Sequence, residues 1–296
     1  MTLPDLSPAR RRMIAVPDGE IAALEFGPAD RPLDVIFLHA NGFNAATYRT
    51  ILAPLADRLR VLAVDQRGHG RTTLPADPGA KNSWLGFRDD LLALLDALEE
   101  TPTVLSGHSM GGTACVLAAG ERVDAARRLV LFDPVIITPE RVASFGPEGL
   151  RDSPLAQGAR RRRATFPSRE AAFEAYHGRG AFKTWPDEVL RDYLVDGLVE
   201  DGQGGLRLCC APEWEAANFG AQFHDTLGAF AAETAPIRIL KAEHASTCQF
   251  DLHEAAVLAR GVRLDLVPGT SHFLPMERPE LVREALLEAA GSPQAG

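Results

Sequence analysis

Cysteine is scarce: the 296-residue chain has four. Cys209 and Cys210 are adjacent, which suits no ordinary disulfide, and Cys115 and Cys248 stand at no metal-ligand spacing. They read as small buried hydrophobes of a protein kept in a reducing, cytoplasmic compartment. Positive charge is also in deficit. A formal net charge of −9 at pH 7 argues against nucleic-acid or anionic-membrane binding, since both reward a positive surface. One basic run, "ARRRRAT" with Arg160 to Arg163, opposes that trend and reads as a solvated helix face. Long apolar runs are missing as well. The N-terminal "MTLPDLSPARRRMIAV" has no apolar stretch of signal-peptide length, and no segment stays apolar for long enough to span a bilayer. Neither internal repeats nor low-complexity tracts are visible.

Core-forming material is plentiful. With 46% hydrophobic residues the chain can bury a full core, and its length fits one large α/β domain with an insertion. "RMIAVP" and "EIAALEF" read as strands about a turn at Asp18-Gly19. "DVIFLHA" is a nearly unbroken apolar run, as expected of a strand covered on both faces. "AATYRTILAPLADRL" has helical spacing, and "RVLAVD" is a further buried strand. "SWLGFRDDLLALLDALEE" reads as a helix with Ser83 as N-cap and Leu91, Leu95 and Leu98 on one face. "PTVLSGHS", "MGGTACVLAAGE" and "RRLVLFD" continue the alternation as far as Asp133. Such alternation predicts right-handed βαβ units and a mostly parallel sheet with helices on both faces, made mixed by the opening hairpin.

From about Ile137 to Ala235 the rhythm breaks into helical stretches such as "SREAAFEAYHG" and "PDEVLRDYLVDGL", with frequent Gly and Pro and dense aromatics. A structureless loop of that length is implausible, so a helical insertion is expected over 137–235. It divides a core of 1–136 from a second core part, 236–296, where "IRILKA", "FDLHEAAVLAR", "VRLDLVP" and "PELVREALLEAA" resume the alternation. Pro279 suits the first position of the closing helix.

"LSGHSMGG", Leu105 to Gly112, places Gly107-His108-Ser109-Met110-Gly111 between a buried strand and a helix. That context marks a Gly-x-Ser-x-Gly nucleophile elbow, whose sharp, strained turn leaves no room for Cβ atoms beside the serine. Ser109 is therefore the candidate nucleophile, and helix onset just after it aims free N–H groups at the site.

On these residues the chain resembles the α/β-hydrolase superfamily, from about Met13 to Ala290. The resemblance implies an eight-stranded, mostly parallel α/β sheet, with the insertion forming a helical cap. "LHANGF", Leu38 to Phe43, is similar to the family's His-Gly segment, with Ala40 where glycine is usual. By that match the backbone N–H of Asn41 and that of Met110 form an oxyanion hole. "VDQRGHGRT" resembles a loop whose role in the family is architectural, so His69 is not read as catalytic. His39, His69 and His108 also precede Ser109, against the Ser, acid, His order of this fold. His272, in "VPGTSHFLPMERP" after the last strand, resembles the family's histidine loop and is the expected general base and acid.

The acid is the irregular member. Family usage puts it after "IRILK", where a Gly-Glu-x-Asp pattern laid on "AEHA" sets Ala245 at the aspartate. Alanine cannot hold an imidazole or stabilise an imidazolium. Two carboxylates compete for the role. Asp133 ends the preceding strand, where haloalkane-dehalogenase relatives carry their acid, and Pro134 disfavours helical geometry there, keeping the carboxylate at the sheet's C-terminal edge. Glu243, two residues before the usual place, is the alternative. Asp133 is preferred.

The expected activity is that of an esterase-like serine hydrolase working through an acyl-enzyme on a small acyl or aryl substrate, with Trp185 and Trp214 among the aromatics of an apolar pocket. The same triad serves carbon–carbon bond, lactone or amide hydrolysis and cofactor-free peroxidation. Dehalogenase and epoxide-hydrolase chemistry is disfavoured, because those relatives use an aspartate where this chain has Ser109. A ligand receptor on a hydrolase scaffold is the reading from another class. No metal or organic cofactor is implied.

Overall fold

The computed structural model describes residues 9–80 and 83–291. β1 (Arg10–Val16) and β2 (Gly19–Phe26) form the opening antiparallel hairpin. β3 (Val35–Leu38), β4 (Val61–Val64), β5 (Val104–His108) and β6 (Arg128–Phe132) are short apolar strands, buried almost throughout because layers pack on both faces. β7 (Thr165–Phe166), β8 (Leu198–Glu200) and β9 (Leu206–Leu208) lie in the insertion, and β10 (Ile237–Ala242) and β11 (Arg263–Val267) return to the core. The main sheet runs β1-β2-β4-β3-β5-β6-β10-β11. Only the β1–β2 and β2–β4 pairs are antiparallel; the rest are parallel. This is the mostly parallel sheet that the alternation predicts, with the eight strands that the family resemblance implies.

The segment after β3 departs from its expected continuous helix. It is broken into a 3-10 turn at Ala45–Tyr48, the single-turn α1 (Arg49–Leu52) and a second 3-10 turn at Ala53–Leu55. Pro54 has no N–H to continue an α-helical ladder, and the Asn44 side chain caps the first turn by accepting from the Thr47 N–H at 3.1 Å. α2 (Leu85–Leu98) starts one residue later than expected: Trp84, not Ser83, is the N-cap, although the Ser83 hydroxyl still accepts from the Leu85 N–H. Its buried face is Phe87, Leu91, Leu94 and Leu95, while Leu98 is only partly covered. α3 (Met110–Glu121) is buried along most of its length beside β5.

The insertion holds α4 (Pro139–Arg151), α5 (Pro154–Arg160), α6 (Arg169–Tyr176), α7 (Asp187–Gly197), α8 (Pro212–Gly220) and α9 (Thr226–Ala232). It is not purely helical, because β7, β9 and β8 form a second, antiparallel sheet. Its signal is the turn "EDGQGG": Gly202 and Gly204 take positive φ, and Asp201 Oδ1 accepts from the Gln203 and Gly205 N–H groups at 2.7 and 2.9 Å. α7 anchors the insertion to the core through two buried carboxylates. Asp192 accepts from Arg49 and Thr50, and Asp196 from Arg11 and Arg71. Between them the aromatics interleave, with Trp185 4.9 Å from Phe43 in one cluster with Phe37 and Phe132 of the sheet. α10 (Glu254–Ala259), α11 (Leu274–Glu277) and α12 (Pro279–Gly291) complete the core, and Pro279 opens α12 as its position predicts. Among the described residues no helix is long and apolar enough to cross a membrane. The four cysteines are free, three of them buried and Cys209 partly so.

Candidate active site

Ser109 sits between the last residue of β5 and the first of α3, with φ 54° and ψ −122°. A non-glycine residue there stores strain of roughly 1–3 kcal/mol and needs surroundings that fix it. The Ser109 N–H donates to the Phe132 carbonyl at 3.0 Å, and its carbonyl accepts from the Thr113 N–H at 3.1 Å. Glycine is required on both sides by close approach. A Cβ on Gly107 would lie 2.4 Å from the Gly111 carbonyl carbon, and one on Gly111 would lie 2.3 Å from the Leu38 carbonyl oxygen.

The loop after β11 carries His272 over this elbow. Its Nε2 lies 2.9 Å from Ser109 Oγ, and its Nδ1 lies 2.6 Å from Asp133 Oδ2. Asp133, fully buried with φ 42°, directly follows β6. Burial works against its ionisation, but hydrogen bonds from His272 and Ser246, with the Ala242 N–H, outweigh it and hold the carboxyl below its ordinary range. With that carboxylate ionised, Nδ1 carries the imidazole proton and Nε2 is free to accept from the Ser109 hydroxyl.

The end of β10 and the loop after it, where alanine replaces the usual acid, supply donors instead. The Ala242 N–H, the Ser246 hydroxyl and the Thr247 N–H reach the Asp133 carboxylate at 2.9, 2.6 and 3.0 Å. Glu243 faces elsewhere: it accepts from the Gly269 N–H at 2.8 Å and lies 3.2 Å from His244. The fold therefore brings Ser109, His272 and Asp133 together and leaves Glu243 outside the cluster.

Asn41 follows β3, and its side chain is pinned by the insertion. Its Nδ2 donates to the Glu215 carbonyl at 2.9 Å, and its Oδ1 accepts from Asn218 Nδ2 at 3.0 Å, both on α8. Met110 is the first residue of α3, where backbone N–H groups have no partner within the helix. Below them runs a buried bridge. The Ala40 N–H donates to Tyr48 Oη at 3.2 Å, the Tyr48 hydroxyl lies 2.7 Å from His108 Nδ1, and His108 Nε2 lies 2.7 Å from the His272 carbonyl. Burial, reinforced by nearby His272, depresses the His108 pKa to about 3, so its ring is neutral. Nε2 then carries the proton for the carbonyl, and Nδ1 accepts from Tyr48. His69 is structural, accepting from the Gly42 N–H at 3.0 Å.

Ser109, His272 and Asn41 open into a cavity of about 730 Å³ between core and insertion, lined largely by apolar side chains including Phe43, Ile136, Phe182, Phe219 and Phe273. Trp185 and Trp214 do not line it. Trp185 packs on Phe43 and Phe182, and Trp214 donates to the Arg67 carbonyl at 3.1 Å. Arg162 corrects the solvated-face reading of the basic run: its side chain is 18% exposed, lines the cavity, and pairs with Glu215 and the Tyr193 hydroxyl. Its position just past the end of α5, where the chain turns inward, was not visible in a run of four arginines.

Sheet order, strained elbow serine and underlying histidine–carboxylate pair define an α/β-hydrolase-type protein. The chain belongs to the alpha/beta hydrolase family, whose model matches residues 35–285. It is 28% identical over 260 residues to 2-(acetamidomethylene)succinate hydrolase of Mesorhizobium japonicum, covering 85% of this chain and 86% of that protein. It is 25% identical over 276 residues to carboxylesterase YbfK of Bacillus subtilis, covering 91% and 83%. Among solved structures, E-2-(acetamidomethylene)succinate hydrolase superposes with a TM-score of 0.76 at 23% identity, covering 96% of this chain and all of that one.

Proposed function

We propose that this hydrolase cleaves a carboxylic ester or related acyl substrate through an acyl-enzyme, with Ser109 as nucleophile, His272 as general base and acid, and Asp133 as the triad acid. The observation that carries the reading is the continuous hydrogen-bonded chain from Asp133 through His272 to Ser109, opening into the cavity. His272 takes the hydroxyl proton as Oγ attacks the acyl carbon. The N–H groups of Asn41 and Met110 stabilise the oxyanion, each contributing roughly 3 kcal/mol to the transition state. Collapse of the tetrahedral intermediate expels the alcohol, which receives that proton from His272. Water, deprotonated by His272, then attacks the acyl-enzyme and releases the acid and Ser109. Residues 137–235 act as the cap that excludes bulk water from this cavity.

A burst of 4-nitrophenolate from a short-chain 4-nitrophenyl ester, stoichiometric with enzyme and absent in Ser109→Ala, is the expected result. No serine-dependent turnover on a panel of esters, thioesters, amides and β-diketones overturns it and leaves the receptor reading. Likeness to 2-(acetamidomethylene)succinate hydrolase along most of both chains favours a second reading, cleavage of a bond other than an ester by the same residues. The amide and diketone members of that panel separate the two.

A further inference from the structure

We propose that the cavity selects acyl substrates bearing a carboxylate remote from the scissile bond, and that Arg179 and the Tyr176 hydroxyl hold it. The charges of the cavity wall run against those of the chain. In a protein of net charge −9, the described residues line this cavity with Arg141, Arg162 and Arg179 against a single carboxylate, Glu215. Two of the three arginines are already committed. Arg162 pairs with Glu215 and donates to the Tyr193 and Tyr176 hydroxyls at 2.8 and 3.3 Å, and Arg141 pairs with Asp251 at 2.6 Å. Arg179 has no side-chain partner among the described residues, so its guanidinium is the surplus positive charge of the wall.

Tyr176 adds a matching donor. Its oxygen accepts from Arg162, and its own proton has no acceptor among the described residues. Tyr176 is the last residue of α6, and the Arg179 N–H donates to its carbonyl at 3.0 Å, so a tight turn keeps the two side chains on one stretch of cavity wall. One uncommitted guanidinium and one hydroxyl match the single charge and two oxygens of a carboxylate; a phosphate dianion calls for more donors. The apolar remainder of the wall accommodates the carbon chain between that group and the acyl carbon.

The inference rests on the hydrolase reading only for the reacting end of the substrate. Its test compares the mono-4-nitrophenyl ester of adipic acid with the ester whose far carboxylate is replaced by carboxamide. The wild type is expected to favour the carboxylate in kcat/KM by about tenfold or more. Arg179→Gln brings that ratio close to one, Arg179→Lys restores part of it, and about 0.5 M salt narrows it in the wild type. Arg179 is exposed and pairs with no side chain among the described residues, so loss of folding does not confuse the comparison. A wild-type ratio of one, or a preference unchanged in Arg179→Gln, overturns the proposal. Titration of adipate into Ser109→Ala, with and without Arg179→Gln, keeps the two readings apart. Arg179-dependent adipate binding without turnover of either ester sinks the hydrolase reading alone. Equal turnover of both esters without adipate binding sinks the carboxylate site alone.

Discussion

Asp133 and Glu243 differ by surroundings more than by reach. The first is fully buried with donors from β10, from the loop after it and from His272, while the second is half exposed and braces the Gly269 turn. On the proposed mechanism, a carboxylate at Asp133 fixes the imidazole proton on Nδ1 and offsets the charge that His272 would gain as Ser109 attacks. Asp133→Asn keeps the volume but can present an amide N–H to Nδ1 and favour the wrong tautomer. The expected loss is roughly 10³–10⁴-fold in kcat, whereas Glu243→Gln stays within about twofold. Collapse of Glu243→Gln with Asp133→Asn still active would show that the acid comes from the loop after β10.

At the level of elements, the alternation of strand and helix was legible because each buried strand is a short apolar run and each helix has its own period. Ser109 and His272 stood out because their loops carry local signals, glycines at the elbow and turn residues around the histidine. What closes the site was not legible, because it joins positions more than a hundred residues apart. Ser246 and Thr247 look like ordinary loop residues until β6 and β10 pair and set them against Asp133. Tyr48 and His108 also meet only through the fold, 60 residues apart in the chain. One sits in a broken helix and the other was set aside on chain order, yet together they tie the segment before Asn41 to the elbow and to the His272 carbonyl. Tyr48→Phe leaves two buried polar groups unpaired at a cost of about 1–3 kcal/mol, lowering Tm by several degrees. Because the freed segments carry the groups proposed to react, kcat is expected to fall roughly tenfold with KM little changed. Steady-state kinetics showing raised KM and intact kcat would place this bridge in binding instead.

Across the whole molecule, buried titratable groups pull stability in opposite directions with pH. His108 is held near pKa 3 and His39 is also depressed, both chiefly by burial. Asp65 is raised to about 7 by burial and by the neighbouring Asp196. For a depressed histidine, neither state holds the proton above its ordinary pKa of about 6.5, so its full contribution is present there. As pH falls toward 3 the unfolded chain takes a proton that the fold refuses, and stability drops by about 1 kcal/mol per pH unit for one such group. Asp65 acts oppositely: the fold retains a proton that the unfolded chain releases, so its contribution is full below its ordinary pKa of about 3.9 and is lost as pH rises from there through its raised value. The two effects oppose each other between about pH 4 and 6, so the histidine part is read by difference. His108→Gln offers an acceptor to Tyr48 and a donor to the His272 carbonyl without titrating. In urea titrations between pH 4 and 6, wild-type stability should fall with acidification more steeply than that of His108→Gln, by about 1 kcal/mol per pH unit. Parallel slopes would mean that the buried ring accepts its proton inside the fold, and with it that the bridge to His272 tolerates an imidazolium.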